Sequence, residues 1–459
     1  KVPGANFTPA YRNKYWDGKI RLANLKDSTI YAGLVQDIAK FSKDLDIDVE
    51  FEGTKKDMPG IENNIDDKIL DGFLDALDLH SGGKKIQMRD YQIDAFKKGV
   101  RKQRMLCLSP TASGKSLIIY ALMRWWREIH DRKILIIVPT INLVTQLMSD
   151  FVDYSNDKFS DMHGIMGGKE KQTDARVVVS TWQSLYKMSA GYFAQFGSVI
   201  VDEVHHAQSK SIQNIMKKLV ICPDRVGMTG TIQEAKTHEL VLKGLFGNVE
   251  KMISTKELID KEQISDVKIQ LLRLNYSDND KKLVKDMNYQ DEIAHIINHE
   301  KRQKFISKLA ADLPGNTLVV FSRLDHGKEL HRQIDEITER EVHYIAGETD
   351  KDSREMTRQF AEKNDVTIVA SLGVFSTGVN IRNLHNLIFA HPSKSKIKVL
   401  QSIGRILRKT EDGKPATVYD IIDDIKWKSR DNFTLRHAGE RFRYYTEEKF
   451  DYKINSVDI

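Results

Sequence analysis

The chain has 459 residues, 40% of them hydrophobic, enough for several buried cores and about three domains of usual size. Its formal net charge of +6, from 71 basic and 65 acidic residues, is too mild to select a partner class, so the placement of charge matters more than its sum. The longest apolar runs, Lys133 to Val138 and Leu117 to Met123, are too short to span a bilayer and the first residues show no leader pattern, which excludes a membrane protein and predicts a soluble, cytoplasmic one.

From Lys1 to Ser81 the pattern predicts a small α+β domain. Its expected parts are a hairpin over Tyr11 to Asn24 turning at Asp17-Gly18, an amphipathic helix over Thr29 to Leu45, a strand over Ile47 to Phe51 and a helix over Asp66 to Leu79. Turn and charged residues at Ser81-Gly82-Gly83-Lys84-Lys85 mark a break, after which strands and helices alternate as in a parallel sheet. The strands expected there are Met105 to Leu108, Ile134 to Val138, Val177 to Ser180, Val199 to Val201 and Val226 to Thr229. A charged, mostly helical stretch from about Asn248 to Leu313 leads to a second alternating set: Thr317 to Phe321, Val342 to Ile345, Val366 to Ala370, Leu387 to Ala390 and Thr417 to Ile421. The fold class is therefore α/β, with two tandem parallel-sheet domains after the small α+β domain and spans of 1–81, 82–250 and 251–459. Cys107 and Cys222 have no partner at metal-ligand spacing and read as buried small hydrophobes.

Three segments carry chemistry. The first expected strand of the first sheet runs into Ser109-Pro110-Thr111-Ala112-Ser113-Gly114-Lys115-Ser116 and then an apolar helix. Strand, loop and helix in this order aim the backbone N–H groups of a loop containing Thr111, Ser113 and Gly114 at phosphates. Lys115 then reaches the β and γ phosphates of ATP, and Ser116 a Mg²⁺ ion. Ser109 departs from the pattern by occupying its first glycine position. Just upstream, Arg89 and Gln92 offer a guanidinium and an amide able to read adenine, or form a surface turn before a helix.

The second segment is the apolar run Ser198 to Val201, which ends in Asp202-Glu203-Val204-His205. At the C-terminal end of a buried strand, Asp202 is placed to hold a metal ion and Glu203 to deprotonate a water; the bland alternative is a strand stopping at a charged turn. The third is Gln401-Ser402-Ile403-Gly404-Arg405-Ile406-Leu407-Arg408, whose two arginines fall three apart on one helix face. Two guanidinium forks suit a γ-phosphate supplied across a cleft, or else nucleic-acid phosphates.

These segments belong to an ordered set: Arg89 to Gln92, SPTASGKS (109–116), VPTINLVTQ (138–146), STWQSL (180–185), DEVH (202–205), MTGT (228–231), LVVFSR (318–323), SLGVFSTGVNI (371–381) and QSIGRILR (401–408). Over about residues 90–410 the set resembles the superfamily 2 helicases, and FTPAYRNKYWDGKIRL near the N-terminus is similar to phage recombination and repair members. The resemblance implies two RecA-like domains. It gives Lys115, Ser116, Asp202 and Glu203 the phosphate, Mg²⁺ and catalytic-base roles, Gln92 that of adenine reader, and Arg405 and Arg408 those of the motif VI arginines. His205, Thr229, Thr231 and Gln401 match elements that couple hydrolysis to movement, and Gly378 the glycine near the γ-phosphate. Ala112, Gly230 and Asn380 depart from the family pattern.

By the same resemblance Thr140, Asn142, Thr181, Gln183, Ser322 and Arg323 meet one DNA strand through its phosphates. The implied activity is that of an ATP-dependent DNA helicase and translocase acting on forked, four-way and R-loop DNA in recombination, repair and replication. It would be a monomer, in a host cytoplasm if phage-encoded, with recombination or single-strand-binding proteins as partners. The rivals are an RNA helicase and a motor or clamp subunit of a restriction-type complex. Lys14, Trp16 and Arg21, interleaved with further bases and aromatics, fit either a grip on duplex DNA or an ordinary half-buried strand. The basic tail with Arg436, Arg441, Arg443, Tyr444 and Tyr445 fits a solvated helix or a second backbone clamp.

Overall fold

Aliphatic and β-branched runs form two parallel sheets in this computed structural model, which describes residues 2, 5–50, 52, 63–167, 170–205, 210–230, 236–377, 383–393, 395–406 and 415–459. The chain divides into two compact units, Lys1–Ile253 and Ser254–Ile459. In the first unit the strands are β1 (Arg104–Leu108), β2 (Lys133–Val138), β3 (Met162–Ile165), β4 (Val177–Thr181), β5 (Phe196–Val201), β6 (Asp224–Thr229) and β7 (Val249–Lys251). They lie in the order β7-β1-β6-β5-β2-β4-β3, and every pairing is parallel. Alternation sorts the side chains onto two faces, as a sheet covered on both sides requires: Met105, Cys107, Ile134 and Ile136 join one core, Leu106, Leu135 and Ile137 the other. Both cysteines are free and buried, as their surroundings in the sequence predict.

The N-terminal part departs from expectation. In place of a hairpin over Tyr11 to Asn24, a short helix spans Pro9–Arg12, because the Thr8 hydroxyl accepts from the Tyr11 N–H at 3.3 Å and a proline opens the first turn. Among the described residues the pairing near it is a two-residue hairpin of Ala23–Asn24 with Thr29–Ile30. The helix expected over Thr29 to Leu45 is confined to Val35–Asp44 after a 3-10 turn, residues 47–50 form no strand, and Phe51 lies outside the described residues. The expected helix near Asp66 is present as Asp67–Ala76, with Asp66 as its cap. The supposed break at Ser81–Lys85 is a tight hairpin, His80–Ser81 against Lys84–Lys85, with Gly82 and Gly83 at φ +58° and +73°. Leu70, Leu77 and Leu79 pack in the same core as Phe96 and Trp126, so this segment shares the core of the first sheet.

The second unit holds β8 (Val267–Asn275), β9 (Thr317–Phe321), β10 (Val342–Ile345), β11 (Thr367–Ser371), β12 (Asn386–Phe389), β13 (Ala416–Asp424) and β14 (Asp451–Asp458), again all parallel, in the order β10-β11-β9-β12-β13-β8-β14. The stretch 248–313 is mostly helical, as expected, through helices Thr255–Asp260, Asp278–Val284, Tyr289–Asn298 and Glu300–Asp312, but it also contributes β7 and the nine residues of β8. Within the basic tail, Arg436 and Arg443 are exposed, whereas Arg441, Tyr444 and Tyr445 are buried and so not offered to a DNA backbone. Arg441 is buried on helix Phe433–Glu447, its guanidinium held by Asp420 at 2.7 Å, and Tyr445 donates to the same carboxylate at 2.9 Å. No helix among the described residues is long and apolar enough to cross a membrane.

Candidate functional site

Register brings the chemistry together. β6 lies between β1 and β5, with Thr229 beside Leu108 and Gly227 beside Val201. The segments that follow these three strands therefore leave the C-terminal edge side by side, where open parallel sheets bind ligands. One is the loop 109–114, one is Gly230, and one is Asp202 to His205.

The loop is braced from within. Ser109, standing where glycine was expected, donates its hydroxyl to Ser113 Oγ at 2.7 Å, and Ser113 Oγ donates to the Pro110 carbonyl at 2.7 Å. Ala112 and Gly114 both take positive φ, +66° and +76°, and Gly114 caps helix Lys115–Ile129. A Cβ on Gly114 would collide with the Gln92 amide, so glycine is required there on two counts. Gln92, 3% exposed, spends its side chain on this architecture: Oε1 accepts from the Arg89 N–H at 2.9 Å and Nε2 donates to the Ser113 carbonyl at 2.9 Å. Tyr91 donates to that carbonyl at 2.7 Å and accepts from the Arg89 guanidinium at 3.1 Å.

Lys115 Nζ lies 3.3 Å from the Ser109 carbonyl and 3.7 Å from Glu203 Oε1. Glu203 is held at φ +47°, a left-handed conformation unusual for a bulky residue, with its N–H on Asp202 Oδ1 at 2.9 Å. Its other oxygen is 3.2 Å from His205 Nδ1, and that nitrogen is 3.0 Å from Thr229 Oγ1. Lys115, Glu203, His205 and Thr229 thus form one continuous polar chain across three strand ends. Burial, reinforced by Glu203 and opposed by Lys115, pushes the Asp202 carboxyl up to about 6. The donor set consists of helix N-terminal amides, an ammonium, a hydroxyl and a carboxylate short of positive charge. It fits a polyphosphate with a hard divalent cation.

Two tyrosines were missed from sequence. Tyr154 shares a hydrogen bond of 2.7 Å with Ser116 Oγ from the far end of helix Ile141–Tyr154, and Tyr91 braces the loop. Neither stands at a spacing that would single it out.

The expected strand-contact residues also sit at C-terminal strand ends. Thr140 caps helix Ile141–Tyr154 just after β2, and Asn142 and Gln183 are exposed. Thr181 ends β4 but is 4% exposed, its hydroxyl shared with Ser184 at 3.1 Å. Ser322 is exposed after β9, and Arg323 donates to Gln290 at 2.9 Å. Gln401 and Arg405 lie one turn apart on helix Lys396–Ile406, whereas Thr231, Gly378, Asn380 and Arg408 lie outside the described residues. Lys14 is exposed; Trp16 donates its indole N–H to the Lys19 carbonyl at 2.8 Å, and Arg21 pairs with Asp17 at 2.8 Å.

Family models match three stretches of the chain: the N-terminal region of the DNA helicase UvsW over residues 1–52, the res subunit of type III restriction enzymes over 85–234, and the helicase conserved C-terminal domain over 300–410. The ATP-dependent DNA helicase uvsW of Enterobacteria phage T4 is 37% identical over 477 residues, spanning 100% of this chain and 94% of that protein. The chain belongs to the UvsW family of DNA helicases. The crystal structure of T4 UvsW covers 100% of this UvsW-family chain and 93% of its own, at 36% identity and a TM-score of 0.51. The DNA 3'-5' translocase XPB2 of Sulfurisphaera tokodaii is 24% identical over 77% of this chain and 86% of its own. The type ISP restriction-modification enzyme LlaBIII shares the fold over 82% of this chain and 31% of its own, with 15% identity and a TM-score of 0.61. The two seven-stranded sheets are thus the tandem RecA-like domains of a superfamily 2 helicase.

Proposed function

We propose that this chain is an ATP-dependent DNA helicase and translocase that unwinds or branch-migrates forked, four-way and R-loop DNA in recombination, repair and replication. The observation that carries the reading is the continuous chain Lys115, Glu203, His205 and Thr229, which ties a nucleotide loop to the sheet edge where strand contacts lie. When bound, ATP with Mg²⁺ supplies the phosphoanhydride and the cation that shields it. Arg89 and Gln92 set the entrance of the loop, and the amides around Thr111, Ser113 and Gly114 bind phosphate oxygens at the helix N-terminus. Lys115 would leave Glu203 to meet the β and γ phosphates, while Ser116 and Asp202 would hold the cation. Glu203, released from Lys115, accepts the proton of the attacking water. Arg405 and Arg408 meet the charge that develops on the γ-phosphate, with Gly378 allowing close approach.

His205 senses the state of Glu203 and passes it to Thr229, Gly230 and Thr231, and with Gln401 this converts hydrolysis into movement. One DNA strand is held through phosphates near Thr140, Asn142, Thr181, Gln183, Ser322 and Arg323. The N-terminal segment holds the duplex arms of a branch, through Lys14, Trp16 and Arg21. A cavity of about 680 Å³ there, lined among the described residues by Arg21, Lys26 and Lys217 without a carboxylate, although Arg21 pairs with Asp17 beside it, supports this reading. The protein works as a monomer in the cytoplasm of a phage host, alongside recombination and single-strand-binding proteins.

Lys115→Ala and Glu203→Gln are expected to abolish DNA-stimulated ATP hydrolysis, and Arg408→Ala to keep DNA binding while losing turnover. Full turnover in the first two would sink the reading. Comparing hydrolysis and strand separation on single-stranded, forked, four-way, RNA-hybrid and RNA substrates tests the choice of DNA over RNA.

A further inference from the structure

The second unit carries a basic and aromatic surface that the nucleotide chemistry does not use. It begins at Arg323, which donates to Gln290 on helix Tyr289–Asn298 at 2.9 Å. The neighbouring Tyr289 ring lies 5.9 Å from Phe433, and the Arg436 guanidinium sits 4.6 Å over Phe433. Phe433 and Arg436 share a groove with Trp427 and Arg430. The last two stand side by side across a tight turn, closed by Arg430 N–H on the Trp427 carbonyl at 3.0 Å and Trp427 N–H on the Arg430 carbonyl at 3.2 Å. Because β9 and β13 are two places apart in an all-parallel sheet, this turn and Arg323 leave the same C-terminal edge about 10 Å apart.

Several arginines elsewhere in the unit are neutralised by carboxylates. Arg332, Arg358 and Arg443 are each held by a neighbouring glutamate on their own helix. Among the described residues no carboxylate pairs with Arg323, Arg430 or Arg436, although Asp431 lines the same groove. The surface is also rigid. Glu292, 2% exposed, accepts from the Phe433 N–H at 2.9 Å, the Thr434 N–H at 2.7 Å and the Asn432 amide at 3.1 Å. It thereby fixes the start of the helix that presents Phe433 and Arg436. Glu292 lines the same groove but, among the described residues, forms no ion pair with Arg430 or Arg436. Planar cations without a carboxylate partner, set around a half-buried indole on a fixed scaffold, fit a flexible polyanion with stackable faces.

We propose that the turn Lys426–Arg430 together with Arg436 is a second contact for single-stranded DNA. Trp427 stacks on a base, and Arg430 and Arg436 pair with successive phosphates of the strand that meets Ser322 and Arg323. This rests on the proposed helicase function and extends its DNA path beyond the residues named by the family resemblance.

The test uses the full chain and a fluorescein-labelled oligothymidylate, with binding measured over a KCl series. Each strand phosphate contact carries about 0.7 in the slope of log affinity against log salt, so Arg430→Gln with Arg436→Gln is expected to lower that slope by about 1.4. Trp427→Ala is expected to weaken binding about tenfold without altering the slope, and Trp427→Phe to recover most of the loss. An unchanged slope in the double arginine variant, or a loss seen on blunt duplex and absent on single strands, overturns the proposal. If Trp427→Ala unfolds, Trp427→Phe and the arginine pair decide the matter alone. Wild-type ATP hydrolysis that DNA fails to stimulate would instead overturn the helicase reading, whereas stimulated wild type with unaltered variants overturns this contact only.

Discussion

Asp224 sits at the buried start of β6, at the opposite end of the strand from Thr229. Its Oδ2 accepts from the Ser198 hydroxyl at 3.2 Å and lies 3.8 Å from His130 Nε2. Burial pushes the carboxyl up to about 6, against the pull of Ser198 and Arg104. A folded value raised above the unfolded one means that the native state holds this proton more tightly. The contribution is therefore complete below about pH 4 and is lost as pH rises through about 6. His130 works in the opposite sense, since burial lowers its pKa and its contribution is lost as pH falls. Comparing wild type with Asp224→Asn isolates the carboxyl: in urea unfolding at pH 4.5, 6 and 7.5 the variant should gain on wild type as pH rises, by on the order of 2 kcal/mol in all. A difference that does not move with pH removes this role for Asp224. The same contrast of local and distant partners governs the site. Lys115, Ser116, Asp202 and Glu203 stood out as candidates because phosphate and metal chemistry demands fixed local spacing, and the structure brings Lys115 and Glu203 together, whereas the Ser116 contact with Tyr154 spans 38 residues and left no trace in the pattern.

Elements were legible where burial on both sheet faces imposed apolar runs, as in β2 and β5, which are buried almost end to end. They were lost where pairing alone makes the strand. β14 is largely exposed and reads Asp-Tyr-Lys-Ile-Asn-Ser-Val-Asp, with few apolar positions; it is a strand because β8 pairs with it over eight residues. β8 itself mixes polar and apolar positions amid charged helices, which hid it. Helix Phe433–Glu447 was legible only in part: Arg436 and Arg443 are exposed as a surface role requires, while Arg441, alike in sequence, points into the core. Arg441 and Asp420 have side chains only 2% and 1% exposed, so removing one partner strands a buried charge. Arg441→Met should cost about 3 to 5 kcal/mol in urea unfolding, and adding Asp420→Leu should return much of it. A single variant as stable as wild type would show that the pair does not hold this helix to β13.

At the scale of the whole molecule, a mild net charge of +6 has to serve two different demands on DNA. The contacts proposed at the sheet edges would use hydroxyl, amide and arginine groups on one strand, and such groups serve any stretch of single strand equally. Preference for a branch needs a further surface that meets duplex arms, and the N-terminal cavity with Arg21, Lys26 and Lys217 is the cationic concavity suited to that. It lies within the first unit, packed on the sheet that carries Lys115. Arg21 is shared with Asp17, which discounts its share, while Lys26 is exposed at the hairpin tip. Duplex phosphate contacts each contribute about 0.9 to the salt slope, so replacing Arg21, Lys26 and Lys217 together by glutamine should lower the slope for a four-way junction by about 2 to 3. Binding of an oligothymidylate should keep its slope. If the single-strand slope falls by as much as the junction slope, the cavity belongs to the strand path and branch preference must arise elsewhere in the chain.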